Sequence, residues 1–247
     1  MFFEIVADWK FWSVVVSLTA VILSQLPPIH ILLRKAKLDL EVHRRIFINH
    51  KVGNSNLQMH LIIRNVGGRV LRIKKMNARI IKDGKEIVTL PAQSYIASPK
   101  DNQLILLTSF DIKPDEQWSH SVSFVNYFDR NMERKYRESE ILLKNEIERK
   151  RALLQEDKVV FASEEFVVPF IDIFDDRFHW LPGDYVIEIS LTTDIDKVDI
   201  VKQYRFTIFE SQTDELKKYK EDYSTGAGIF WDSPLHAGQW LEIEEKK

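Results

Sequence analysis

Residues 11–33 read FWSVVVSLTAVILSQLPPIHILL and contain no Asp, Glu, Lys or Arg. As a helix these roughly 23 residues extend about 34 Å, enough to cross a hydrocarbon core of about 30 Å. Val14, Val15, Val16, Leu18, Val21, Ile22 and Leu23 fall on every face, whereas a core helix needs only one apolar stripe. Trp9 and Trp12 stand at the start, where amphipathic rings favour the headgroup level. Proline removes a backbone donor and clashes one turn back, so Pro27 and Pro28 predict a kink near Leu26. The segment is a poor signal peptide: residues 1–10 include Glu4 and Asp8, and no small-x-small cleavage site follows. The expectation is a single transmembrane helix over about 11–33 within an N-terminal segment 1–36, with Trp12, Val16, Leu23 and Pro27 in the anchor. A hairpin that dips in and returns at the proline pair is the alternative. Lys10 alone precedes the segment, while Arg34, Lys35 and Lys37 follow it, then Arg44 and Arg45. The positive-inside bias therefore places the rest of the chain in the cytoplasm.

From Lys37 the apolar period becomes two, which predicts strands. Leu38, Leu40 and Val42 alternate with Asp39, Glu41 and His43, and a second run holds Leu57, Met59, Leu61 and Ile63. Residues 70–76 and 78–81 precede Asp83-Gly84, a two-residue hairpin signal, and 86–90 returns. Further strands are expected over 104–110, 118–127, 185–192 and 201–209, with turns at Lys113-Pro114-Asp115-Glu116 and Leu181-Pro182-Gly183-Asp184. The Asn65-Val66-Gly67-Gly68 strand end, the Pro-Asp-Glu turn into Trp118 and the Pro-Gly-Asp-Tyr start of a late strand resemble bacterial membrane-anchored immunoglobulin-like β-sandwich proteins. The resemblance covers about 37–209 minus a helical insertion and implies a mainly β class, an immunoglobulin-like antiparallel β-sandwich in a domain 37–247.

That domain is interrupted by a helical insertion at about 129–158, rich in Glu, Lys and Arg and free of Gly and Pro. Met132, Tyr136, Leu143, Ile147 and Leu154 make a narrow apolar stripe, flanked by Glu133/Arg137, Glu140/Lys144 and Glu146/Lys150 pairs four apart. The stripe rests on the chain's own sheet, or it serves as an arm for a partner or a second copy; Tyr136, Leu143 and Ile147 are the candidate partner-binding residues. A short helix over 212–223, capped by Ser211 with Asp214, and a tail of aromatics (Phe230, Trp231, Trp240) that packs back on the body complete the expectation.

Composition excludes several chemistries. With no cysteine there is no disulfide framework, thiolate nucleophile or Cys-ligated zinc site. A formal net charge of −2 leaves no footprint for nucleic acid. There is no phosphate-binding glycine loop, His-Glu-x-x-His pair or nucleophile elbow, and no cofactor is expected. Asp172, Asp175, Asp176 and His179 in FIDIFDDRFHW are the weak candidates for a metal or a shared proton, set in what reads as a polar turn before a strand. His30 and His60 sit singly in apolar runs.

The expected function is therefore a non-enzymatic binding or scaffold protein that holds a protein partner, or copies of itself, at a lipid bilayer. The alternatives are an oligomerising effector that forms a pore or disrupts the bilayer, as in bacterial stress or antiviral defence systems, and an extracytoplasmic sensor or adhesin.

Overall fold

The computed structural model describes residues 9–25, 31, 33–97, 103–153, 158–233 and 238–246. Pro27, the kink expected there, His30 and Leu154 lie outside them. Helix α1 spans Trp9–Gln25. Four strands follow, β1 (Leu38–Lys51), β2 (Asn54–Asn65), β3 (Leu71–Lys82) and β4 (Lys85–Ile96). Short strands β5 (Leu104–Leu106) and β6 (Phe110–Ile112) lead to β7 (Gln117–Val125). Helices α2 (Arg130–Arg151) and α3 (Glu164–Arg177) precede β8 (Gly183–Thr193) and β9 (Ile200–Ile208). Helix α4 (Glu210–Lys217) runs into a 3-10 stretch, Lys218–Thr225, and the last strands are β10 (Gln239–Glu242) and β11 (Glu244–Glu245).

All the pairings between these strands are antiparallel, in the order β10-β1-β2-β7-β4-β3-β8-β9-β11. The body is thus mainly β and barrel-like, with a few helices. Strand β4 joins two parts of the sheet: it pairs with β3 up to Pro91 and with β7 from Ala92. The opposite seam is joined by the last strands, because β10 pairs with β1 while β11 pairs with β9. Between them Ile243 N–H donates to the Arg44 carbonyl at 2.8 Å, and Leu241 and Ile243 turn inward to cover the seam. Period-two alternation fills the interior, with Leu40, Leu57, Leu61, Ile63, Ile80, Val122, Phe124, Ile187 and Ile189 buried. The Asp83-Gly84 turn forms as expected, with φ of 51° and 74°, the two positive values that suit a tight hairpin.

The structure corrects several expectations. The single strand over 104–110 is two, since β5 pairs with β4 whereas β6 pairs with β3; the chain crosses between the two parts of the sheet there. The polar turn expected around Asp172 is helix α3, which tolerates Pro169 in its interior. It begins after Ser163 with Glu164 and Glu165 and buries Val167, Phe170, Ile173 and Phe174, a helical spacing. Helix α4 is shorter than 212–223, and its cap differs: the Gln212 side chain accepts from the Phe209 N–H at 3.0 Å. Of the tail aromatics, Phe230 packs against the core as expected, whereas Trp231 and Trp240 are exposed.

Among the described residues no helix is long and apolar enough to cross a membrane. Helix α1 has 17 residues, about 25 Å at 1.5 Å per residue.

Candidate functional site

The described side chains of α1 lie almost entirely on the surface. Val14, Val16, Leu18, Val21, Ile22 and Leu23 point in all directions from the axis, and each is more than half exposed. The hydroxyls on the helix are turned into it: Thr19 donates to the Val15 carbonyl and Ser24 to the Val21 carbonyl, both at 2.7 Å. Such back-bonding lets Ser and Thr sit in an apolar medium, and it leaves these two hydroxyls with no polar stripe to offer.

The foot of this segment is fastened to the body. Strand register sets Leu38 opposite Asn65, Arg64 opposite Gln117 and Leu71 opposite Ile112. The turns at 65–70 and 113–116 therefore sit at the end where the chain enters β1. Arg34 pairs with Asp115 at 2.7 Å, and Val66 N–H donates to the Lys37 carbonyl at 3.1 Å. Asn65 ties the turn together, donating to the Arg69 and Ile112 carbonyls and accepting from the Gly67 N–H. The incoming chain crosses so close that a Cβ on Gly67 would lie 2.5 Å from Lys37 N, and one on Gly68 would overlap the Ile31 carbonyl oxygen. Glycine at 67 and 68 is thus what lets the two backbones touch. Gly68→Ala is expected to lift residues 31–36 off the turn while the Tm of the body moves by only a few degrees. Faster hydrogen exchange confined to 31–37 and 65–69 would show this, and unchanged exchange there would refute it.

Tyr136, Leu143 and Ile147 are buried inside the chain itself. Tyr136 packs edge-on to Phe170 and near Phe128, and its hydroxyl donates to the Ile229 carbonyl at 2.6 Å. Burial pushes that hydroxyl's pKa up. Asp129 caps α2 by accepting from the Asn131 and Met132 N–H groups. Glu133–Arg137 and Glu146–Lys150 form as expected, but Arg137 takes Glu140 in place of Lys144. The apolar stripe is therefore covered by α3 and the turn around Ile229, and the other face of the helix leaves Ile141 and Leu142 exposed.

Asp172, Asp175 and Asp176 lie on the exposed side of α3 and do not converge. Asp175 pairs with Lys220 at 3.0 Å and Asp176 with Arg177 at 3.1 Å. His179 is lowered in pKa by burial and by Arg177, and its carbonyl accepts from Tyr185. Among the described residues no group of three or more His, Asp or Glu is placed to hold a metal ion. His60 lies with each ring nitrogen against a serine hydroxyl, Ser121 at 3.2 Å and Ser119 at 3.0 Å, so no carboxylate orients it as a base. A groove of about 1620 Å³ follows the seam beside β9, β10 and β11; ion pairs line it, Lys202 with Glu245 and Arg205 with Glu244.

One buried histidine escaped the sequence reading. His50, near the end of β1, is surrounded by Phe174, Phe178 and Tyr219. Nδ1 accepts from the Gly53 N–H at 3.2 Å, so the proton sits on Nε2, which donates to the Leu216 carbonyl at 2.9 Å. Burial pushes its pKa down to about 4, against a smaller opposing effect of the Leu216 carbonyl.

No protein-family model and no curated protein matches the sequence. Among solved structures the chain is similar to a protein from Archaeoglobus fulgidus at 8% identity and a TM-score of 0.27, over 70% of this chain and 98% of that one. It is also similar to Spo0M, a sporulation control protein from Bacillus subtilis, at 12% identity and a TM-score of 0.26, over 76% of this chain and 55% of that one. The chain thus spans about half the length of Spo0M. Likenesses at these scores carry no argument about function.

Proposed function

We propose that this chain is a membrane-anchored, non-enzymatic binding or scaffold protein. Its apolar segment 11–33 is the single-pass anchor, and its body, read as an immunoglobulin-like sandwich, works on the cytoplasmic side by holding a protein partner or further copies of itself. The observation that carries this reading is helix α1, whose apolar side chains are exposed on every side. Water is a poor medium for such a surface, and contiguous exposed apolar area of this kind marks a membrane or protein contact. The described helix is shorter than a hydrocarbon core, and the apolar run continues in sequence to Leu33. Arg34, Lys35 and Lys37 then supply the basic flank on the side of the body.

The test is carbonate extraction of membranes followed by C-terminal reporter fusions and protease accessibility in spheroplasts. Retention in the extracted membrane with a cytoplasmic C-terminus is the expected result. Loss from the membrane would refute the anchor, and an external C-terminus would turn the body into the sensor or adhesin of the alternative reading.

A further inference from the structure

We infer that the end of the body at the foot of the anchor is itself a lipid-binding surface, which seats Val66, Arg69, Val70 and Lys113 among anionic phospholipid headgroups. The inference rests on the anchor reading above and adds a second point of membrane contact, made by the β body.

Three observations point there. The first is position. The turn at 65–70 is in backbone contact with the chain that leaves the anchor, through Val66 N–H and Lys37 O and through the close approach at Gly67 and Gly68. The interfacial layer on each side of the hydrocarbon is about 5–7 Å deep. Once the apolar segment is in a bilayer, a loop touching residues 31–37 lies at that depth.

The second observation is rigidity. The Arg34–Asp115 pair, the Asp115 N–H bond to the Asn65 carbonyl at 2.9 Å and the Asn65 side-chain bonds lock both turns to the foot. These bonds hold the two turns and residues 34–37 together as one end of the body.

The third is chemistry. Val66 and Val70 are exposed apolar residues at turn positions, and Leu33, next in sequence to the Arg34 that approaches Gly68, is 80% exposed. Among the described residues Lys35, Lys37, Arg69 and Lys113 make no ion pair. Of the neighbouring acids, Asp115 pairs with Arg34 and Asp111 lies 3.9 Å from Arg72, while Glu116 and Asp194 accept backbone N–H groups and, like Asp39, keep their charge. Unpaired cations around small apolar residues match a negatively charged leaflet better than they match a protein groove.

The absence of native cysteine makes the test direct. Full-length Val70→Cys and Lys85→Cys proteins, each carrying an environment-sensitive fluorophore, are reconstituted into vesicles of phosphatidylcholine alone or mixed with phosphatidylglycerol. Lys85 begins β4 at the opposite end of the barrel, next to the Asp83-Gly84 turn. Flotation of the vesicles reports the anchor separately. The expected result is flotation, with a blue shift and quenching by brominated lipid at position 70, stronger with phosphatidylglycerol, and no change at position 85. Arg69→Glu with Lys113→Glu should weaken the preference for anionic vesicles by about fivefold per charge removed, with flotation intact. Flotation with a solvent-like probe at position 70, or with both probes shifted alike, would overturn the headgroup contact and leave the anchor standing. Failure to float would overturn the anchor, and this contact with it.

Discussion

Leu18→Lys combined with Ile22→Lys is expected to move this protein from the carbonate-resistant membrane pellet to the supernatant. The two residues lie one turn apart near the middle of the apolar run, and both are exposed. A lysine near the centre of a spanning helix costs about 2.5–3.5 kcal/mol on the insertion scale. Two of them, softened by side chains that reach for the interface, weaken membrane partition by about 5 kcal/mol, or more than a thousandfold. The folded body should not register the change, since neither side chain packs on it. Circular dichroism and Tm of the released protein are therefore the controls. A double variant that stays in the pellet would show that something other than this helix holds the protein there.

Acid is expected to loosen the far end of the body by about 3 kcal/mol between pH 6.5 and pH 4, through His50. The folded-state pKa of this base lies near 4, below its ordinary 6.5. Its contribution to stability is complete above pH 6.5 and is lost as the pH falls toward the folded value, because the unfolded chain takes up the proton first. The geometry gives the same sign: a proton on Nδ1 would face the Gly53 N–H, donor against donor, and break the link that holds Leu216 to the β1–β2 turn. His60 and His179 are also held low, chiefly by partial burial, and act in the same direction. Denaturant unfolding across this pH range, repeated on His50→Gln, decides the matter. The variant should be less stable at pH 7 and markedly flatter with pH; an equally steep slope would rule His50 out.

The parts of the fold legible in the sequence were those set by neighbours along the chain. Alternation over 57–63 depends on one strand with one buried face, and Asp83-Gly84 depends on two residues that tolerate positive φ. The run of Glu, Lys and Arg around Glu133 and Arg137 forms a helix by its own propensity. What stayed hidden depends on partners far away in sequence. Helix α3 carries β-branched residues and a proline in VVPF, which locally argue against a helix, and packing of Phe170 against Tyr136 overrides them. Its signal was present in Ser163-Glu164-Glu165 and in the spacing of Val167, Phe170 and Phe174. Nothing near β5 and β6 announces that the chain changes partner between Leu106 and Phe110. His50 looked like any strand residue because its two bonds reach Gly53 and Leu216, one of them 166 positions distant. Where the chain enters β1, the basic residues and the Gly67-Gly68 pair could each be read, but their contact could not.

The seam across β10 and β11 sets an order of events during synthesis. Arg45 and Glu242, which face each other there, are 197 residues apart. At ordinary elongation rates of about 5–20 residues per second, β1 waits about 10–40 s for the strand that completes its edge. The apolar segment leaves the ribosome before any of this, so under the anchor proposed above the membrane captures it while the β body is still unfinished. A nascent chain held in that way has its open edges spaced apart from those of its neighbours, at the stage when unpaired strands are most prone to join the wrong chain.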